Sequence, residues 1–271
     1  MPKVRETVKK FVWVLSAILA ISIIVFGFFT AWGTTIFDEF VFFAVIVAFT
    51  PPTLINYVDY RWKKAVDERL PELFRSIVQA QETGMTLPRA LDEAAKRDFG
   101  PLTAELRKVN AQISWGMTLE EALIAFARRV NTVLIHRTIP LIIEANRSGG
   151  HVEKIFDPMG KFIQSTLMLH KERRNLTRPY IAIVYVAFFV FLFTIVLLFK
   201  SFFVEIQGLP MFGTAIMAPA EIKRLFLHMT AIQGFFGGLV AGKMGEGTIT
   251  AGFKHSLVMM VFGYITLKLF M

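Results

Sequence analysis

Residues 84–91, Gly84-Met85-Thr86-Leu87-Pro88-Arg89-Ala90-Leu91, recur 32 positions later as Gly116-Met117-Thr118-Leu119-Glu120-Glu121-Ala122-Leu123. At the same offset Leu70 matches Leu102, Arg75 matches Arg107, Ala95 matches Ala127 and Arg97 matches Arg129. Gly149-Gly150-His151-Val152-Glu153, 33 residues beyond Gly116, reads as a degraded third copy. A fixed period of this size marks one supersecondary unit used repeatedly. Glycine at 84 and 116 suits the left-handed position that closes a helix. Thr86 and Thr118 stand where the next helix begins, and Thr118-x-x-Glu121 is a capping box, the cap being worth about 0.5–2 kcal/mol. Pro88 falls in the first turn, where a missing N–H costs nothing. Leu87, Ala90, Leu91 and Ala94, matched by Leu119, Ala122, Leu123 and Phe126, form an i, i+3, i+4, i+7 stripe. Each copy is therefore a helix–glycine turn–helix hairpin with one buried seam. Three copies predict six helices, at about 70–83, 87–97, 102–114, 119–129, 132–147 and 152–178, with a kink or restart at Pro140. Tetratricopeptide repeats have a similar period, but their Trp/Leu-Gly/Tyr pattern is absent.

On either side of this section the chain is apolar. Residues 11–29 carry no charge, and nineteen residues at 1.5 Å each cover about 29 Å. The run is too long for a typical signal-peptide core and no A-x-A site follows it, so it reads as an uncleaved span. Phe40–Ile55 reads as a second span, with Pro51-Pro52 predicting a kink near its end. Tyr180–Phe199, Leu225–Gly242 and Ser256–Met271 complete a count of five, and Pro179 marks entry into the third. The apolar share is 54%, mean hydropathy is +0.53 and only 19% of residues are charged, which excludes an ordinary soluble enzyme. The absence of cysteine excludes disulfides, a thiol nucleophile and thiolate metal sites.

Orientation follows from the basic residues. Lys3, Arg5, Lys9 and Lys10 precede the first span, and the connector after it has no Lys or Arg. That predicts a cytoplasmic N-terminus and, two spans later, a cytoplasmic segment 56–178 holding 20 Lys/Arg and 15 Asp/Glu. The expected organisation is an N-terminal membrane region 1–55, a cytoplasmic bundle 56–178 and a C-terminal membrane region 179–271. The fold class is an all-α membrane protein of about five transmembrane helices with a cytoplasmic six-helix bundle built from repeated hairpins.

Motifs for chemistry are weak. Gly237-x-x-x-x-Gly242-Lys243 approaches a Walker A loop, but Met244 replaces the magnesium-binding Ser/Thr and no strand leads in. Gly234, Gly238 and Gly242 read better as a G-x-x-x-G face for close packing against another helix, of this chain or of a partner. The five histidines lie at no metal-ligand spacing, and no nucleophile motif is present. The expectation is a non-enzyme without metal, cofactor or nucleic-acid partner. Arg89, Lys96, Arg97, Arg107, Lys108, Arg128 and Arg129 recur beside the two matched turns. They are either a solvated basic face or a docking surface for an acidic partner.

The twin Gly-x-x-Leu-x-x-Ala-Leu turns, the Ser148-Gly149-Gly150 turn and the exit from this module into a span resemble the type II secretion F domain. Glu144-Ala-Asn-Arg-Ser-Gly-Gly-His151 is similar to its archaeal branch, as is the tail from His228 to Lys243 with Gly252-Phe-Lys-His255-Ser256. The resemblance covers roughly 65–271. Archaellum platforms usually carry two such domains and this chain one, so it is more similar to the single-domain platforms of tight-adherence pili. The resemblance implies a multi-pass membrane platform that couples a hexameric secretion ATPase to assembly of a type IV pilus-like filament. Its implied partners are that ATPase, pilin-like subunits, a second platform subunit or a second copy of itself, and membrane lipid. Pilin spans would meet the small-residue face or the apolar loop around Met211, Phe212 and Met217. A transporter or channel subunit, or a tethered scaffold without a motor, are the alternatives. Span cores without Asp, Glu or Arg disfavour the transporter.

Overall fold

The structure, a computed structural model, describes residues 4–32, 34–147, 153–203 and 219–271. Among these residues there are nine α-helices and no strand. They are α1 (Glu6–Ala31), α2 (Thr35–Glu82), α3 (Leu87–Lys96), α4 (Pro101–Ser114), α5 (Leu119–Val130), α6 (Val133–Arg147), α7 (Glu153–Leu198), α8 (Pro219–Glu246) and α9 (Ile249–Phe270). A π-helical turn, Phe199–Phe203, extends α7. Five helices, α1, α2, α7, α8 and α9, are long and apolar enough to cross a membrane. The chain is an all-α, multi-pass membrane protein. Its contacts divide it into a unit formed by Val58–Glu172 and another formed by Val4–Tyr57 with Arg173–Met271.

The first unit is the repeat. At Gly84 (φ +82°) and Gly116 (φ +90°) the chain turns left-handed, and both turns close identically. Gly84 N donates to Gln81 O (2.8 Å) and Met85 N to Ala80 O (3.3 Å); Gly116 N donates to Ile113 O (3.0 Å) and Met117 N to Gln112 O (3.1 Å). This pair of bonds is the Schellman closure, which satisfies carbonyls that a helix end leaves open. Beyond the second turn Thr118 accepts from Glu121 N (3.3 Å) and donates its own N–H to Glu121 Oε2 (3.1 Å), completing the capping box. Thr86 occupies the same position ahead of α3, but its side chain makes no cap hydrogen bond. Three residues on stands Arg89, whose guanidinium only donates and has nothing to return to Thr86 N–H.

The core of this unit obeys the repeat through three copies. Leu70, Leu102 and Ile135 occupy equivalent positions 32 and 33 residues apart, as do Phe74, Leu106 and Ile139, and Ile77, Val109 and Ile142; all nine are buried. Phe126 and Val130 on α5 are echoed by Met159 and Ile163 on α7, again buried. Gly149 and Gly150 lie outside the described residues, but the helices on either side keep the register of the first two hairpins. A cavity of about 20 Å³ among the seam side chains holds no more than about one water.

The helices run on through their prolines, so α6 does not restart at Pro140. α2 runs unbroken through Pro51 and Pro52 and on to Glu82, so the second span and the first helix of the bundle are one helix. Thr50 and Thr53, beside the prolines, turn their hydroxyls onto the carbonyls of Ile46 (2.7 Å) and Phe49 (2.6 Å), so neither hydroxyl is left without a partner on this apolar turn. α6 likewise continues past Pro140. Pro140 is exposed while Ile139, Ile142 and Ile143 are buried, so the proline-bearing side faces out and the seam holds the helix together. α7 passes through Pro179 without a break.

In the second unit α8 and α9 form a hairpin closed at Gly247 (φ +79°), with Gly247 N donating to Lys243 O (3.1 Å). Phe188, Leu192 and Met259 form one buried cluster and Ile195, Phe199, Ile222, Phe226 and Leu267 another. Outward-facing Phe29, Phe193 and Leu269 are 82%, 68% and 75% exposed, as lipid-facing side chains are in a bilayer.

A Cβ at Gly116 meets nothing within 4 Å, so the cost of Gly116→Ala is backbone strain alone. The expected loss is about 1–2 kcal/mol, read as a lowered melting temperature of the detergent-solubilised chain. Asn at the same position, which tolerates the left-handed region, should lose less.

Candidate functional site

The basic residues flanking the two matched turns fall into two groups. Most are engaged within the bundle. Lys96 lies 3.3 Å from Asp92 and 3.0 Å from Glu93 on its own helix. Arg107 Nε approaches Ala95 O at 3.5 Å. Arg97 and Arg129, matched positions in the repeat, both reach back from the end of a second helix to the first helix of their hairpin. Arg97 Nη1 donates to Ser76 Oγ (2.8 Å); Arg129 donates to Glu105 Oε2 (3.0 Å) and Gln112 Oε1 (3.1 Å). Each is a clasp across its hairpin. Arg89 and Arg128 are exposed and form no ion pair among the described residues, which leaves them as the uncommitted charges of the set.

Glu105 is the residue that the sequence reading missed. It occupies the seam position held by Leu73 in the first copy and Thr138 in the third, and its side chain is 4% exposed. Burial pushes its pKa up. Hydrogen bonds and charge from Lys108 (2.8 Å) and Arg129 outweigh burial, so the net pKa lies below the ordinary carboxylate value. The repeat offset alone exposes the anomaly: a carboxylate where the other copies place Leu and Thr. Arg147 on α6 makes a second cross-helix pair, bidentate to Glu120 at 2.7 and 2.5 Å.

Asp67 on α2 is another half-buried carboxyl. Thr132, ahead of α6, accepts from Ile135 N (3.3 Å) and donates to Asp67 Oδ1 (2.6 Å). Burial raises Asp67 from 3.8 to about 6, and the Thr132 hydrogen bond and Lys63 only partly oppose it.

In the second unit the glycine face of α8 packs against α9. A Cβ on Gly238 would collide with the backbone of Ser256, one on Gly242 with that of Gly252, and one on Gly234 would stand 3.2 Å from Met260 N. Ser256 Oγ donates to Phe235 O (2.7 Å) across the same seam. The neighbour left open by the sequence is therefore a helix of this chain. Gly237–Lys243 lie inside α8, so they form no phosphate-binding loop. Met211, Phe212 and Met217 lie outside the described residues.

Ionisable groups also converge where α2 begins. Buried Asp38 meets Arg224 (Nε–Oδ2 2.5 Å; Nη2–Oδ1 3.1 Å) and His228 (3.4 Å). Glu39 accepts from Tyr264 OH (3.1 Å) and Lys268 Nζ (2.8 Å). These ties join the start of α2 to α8 and α9.

Two stability predictions follow from the bundle carboxylates. Arg129→Gln leaves Glu105 buried with half its partners and should cost about 3 kcal/mol, while adding Glu105→Gln should recover part of it, measured as a double-mutant cycle on the purified chain. The Asp67 pKa is raised, so its contribution is fully present below pH 3.8 and is lost as pH rises past about 6. Asp67→Asn should therefore melt higher than the parent at pH 7.5, and the gap should close as pH falls toward 4.

Residues 70–199 match the family described as Type II secretion system (T2SS), protein F. An uncharacterised protein of the archaeon Methanocaldococcus jannaschii is 24% identical over 236 residues, covering 86% of this chain and 38% of that protein. The chain thus spans under half the length of that curated relative. No solved structure matches it. The matched stretch takes in both Schellman turns, the three-copy seam and the whole of α7, and these residues are a type II secretion system protein F domain within a multi-pass membrane protein.

Proposed function

We propose that this protein is a non-catalytic platform of the cytoplasmic membrane that couples a hexameric secretion ATPase to assembly of a type IV pilus-like filament. The N-terminus and the repeat bundle face the cytoplasm, as the distribution of basic residues favours. The observation that carries the reading is the F-domain match over 70–199 on a module whose helices α2 and α7 continue as apolar helices of spanning length. A helix of 46 residues rises about 70 Å at 1.5 Å per residue. A packed bundle resists deformation, and helices shared with it offer a path for force toward the apolar segments. The ATPase docks on the basic face formed by Arg89, Lys96, Arg97, Arg107, Lys108, Arg128 and Arg129. Arg89 and Arg128 supply its uncommitted charge, and the clasp residues supply its shape. Pilin-like subunits meet the membrane helices on faces other than Gly234, Gly238 and Gly242, which α9 fills.

The test is binding of the full chain, held in lipid nanodiscs, to a hexameric secretion ATPase of the same cell. Affinity should fall steeply with salt, as charge-steered association does. Arg89→Glu with Arg128→Glu should weaken binding about tenfold, a loss of about 1.4 kcal/mol, and leave the melting temperature unchanged. Binding that ignores both salt and the double reversal removes the docking face; no binding under any condition removes the motor coupling.

A further inference from the structure

The second unit holds an open apolar groove of about 240 Å³. Its α2 wall is Asp38, Phe42, Val45 and Phe49, one face of the helix; its α8 wall includes His228, Ala231, Phe235 and Phe236. The two walls run in the same direction, because Asp38 meets His228 at one end (3.4 Å) and the rings of Phe49 and Phe235 meet at the other (5.6 Å between centroids). The eleven-residue step from Asp38 to Phe49 gives the groove a length of about 16 Å. That is half of the roughly 30 Å hydrocarbon core of a bilayer, the depth of one leaflet.

Length and lining together decide what fits. An open strip about 16 Å long, apolar along its walls apart from its Asp38–His228 end, suits a hydrocarbon chain laid along it, which needs no polar partner over its length. Stacking of Phe49 on Phe253 (5.0 Å) and of Phe42 on Tyr264 (5.1 Å) stiffens the wall from behind, so the space is not closed by a simple rotation of these rings.

The charged end lies at the first turn of α2 and near the start of α8, the ends at which apolar helices leave hydrocarbon. Asp38 is 7% exposed and pairs with Arg224: Nη2 donates to Oδ1 (3.1 Å), and Nε lies 2.5 Å from Oδ2 as an ion pair without hydrogen-bond geometry. The Nη1 edge of Arg224 makes no hydrogen bond among the described residues, and the side chain is 48% exposed. A half-exposed guanidinium with one edge open matches a phosphate. His228, 51% exposed, stands beside it.

We propose that this groove binds one phospholipid, with one chain lying between α2 and α8 and its phosphate on Arg224 and His228. The lipid wedges the aromatic wall and ties the start of α2 to α8, adding to the Asp38–Arg224 pair. This reading is independent of any motor or filament partner.

The experiment is native mass spectrometry of the full chain in mild detergent, titrated with phosphatidylglycerol or phosphatidylcholine. One phosphatidylglycerol should be retained per chain. Arg224→Gln should weaken its retention about tenfold by removing a charge-assisted hydrogen bond, and Ala231→Trp, which fills the groove, should abolish it. Since either variant can disturb folding, a photoreactive residue at exposed Ile232, on the groove wall, provides a reading in an otherwise unaltered chain. Its adduct in membranes should be a lipid. Retention unchanged in both variants, or an Ile232 adduct that is a protein chain, overturns the proposal.

Discussion

A helical hairpin has one apolar face and is unstable alone; the bundle exists because three such faces close on one another. Leu70, Leu102 and Ile135 are all at most 1% exposed, and fully burying a side chain of this size contributes about 1.5–3 kcal/mol. With nine equivalent seam positions in three sets, the stabilisation arises from the repeat itself rather than from any single contact. The turns are subordinate to it. They set the angle at which a second helix returns, and a glycine is required only because the left-handed step would strain any other residue.

The polar residues inside this seam are held by their partners. Glu105 interrupts an otherwise apolar stripe, and Lys108 and Arg129 meet it. Such a pair contributes little net stability compared with a leucine but is costly to break, so it fixes which helices are neighbours. Arg97 and Arg129 act alike in their hairpins, and both therefore couple surface charge to hairpin geometry. A partner that competes for Arg129 would loosen Glu105, whereas one that takes Arg89 or Arg128 would leave the bundle untouched.

The all-α class, the five apolar helices and the family were legible in the sequence, because a 32-residue period and long uncharged runs are strong signals that need no tertiary knowledge. Helix continuity was not. A proline inside a helix costs about 3 kcal/mol in water, which argued for a kink at Pro51-Pro52 and a kink or restart at Pro140. In hydrocarbon, opening the helix would strand several backbone groups at a few kcal/mol each, so continuing through Pro51-Pro52 is the cheaper outcome. At Pro140 the buried isoleucines on the opposite face outweigh one lost bond. The Glu105 clasp and the Asp38–Arg224 pair were illegible for another reason: residues 24 and 186 apart in sequence meet only once the helices are packed.

The membrane unit treats its two inter-helix surfaces in opposite ways, and that contrast bears on how partners are accommodated. Between α8 and α9, Gly234, Gly238 and Gly242 let the backbones approach closely, and dispersion between closely packed main chains replaces a hydrophobic drive that lipid cannot supply. Between α2 and α8 large aromatic rings keep the helices apart and leave space. A seam of the first kind is closed and rigid. The second kind is held by the Asp38–Arg224 pair at one end and the Phe49–Phe235 contact at the other, with open space between them. Where the two surfaces shift, the α2–α8 one has space to yield into, whereas the α8–α9 backbones already touch.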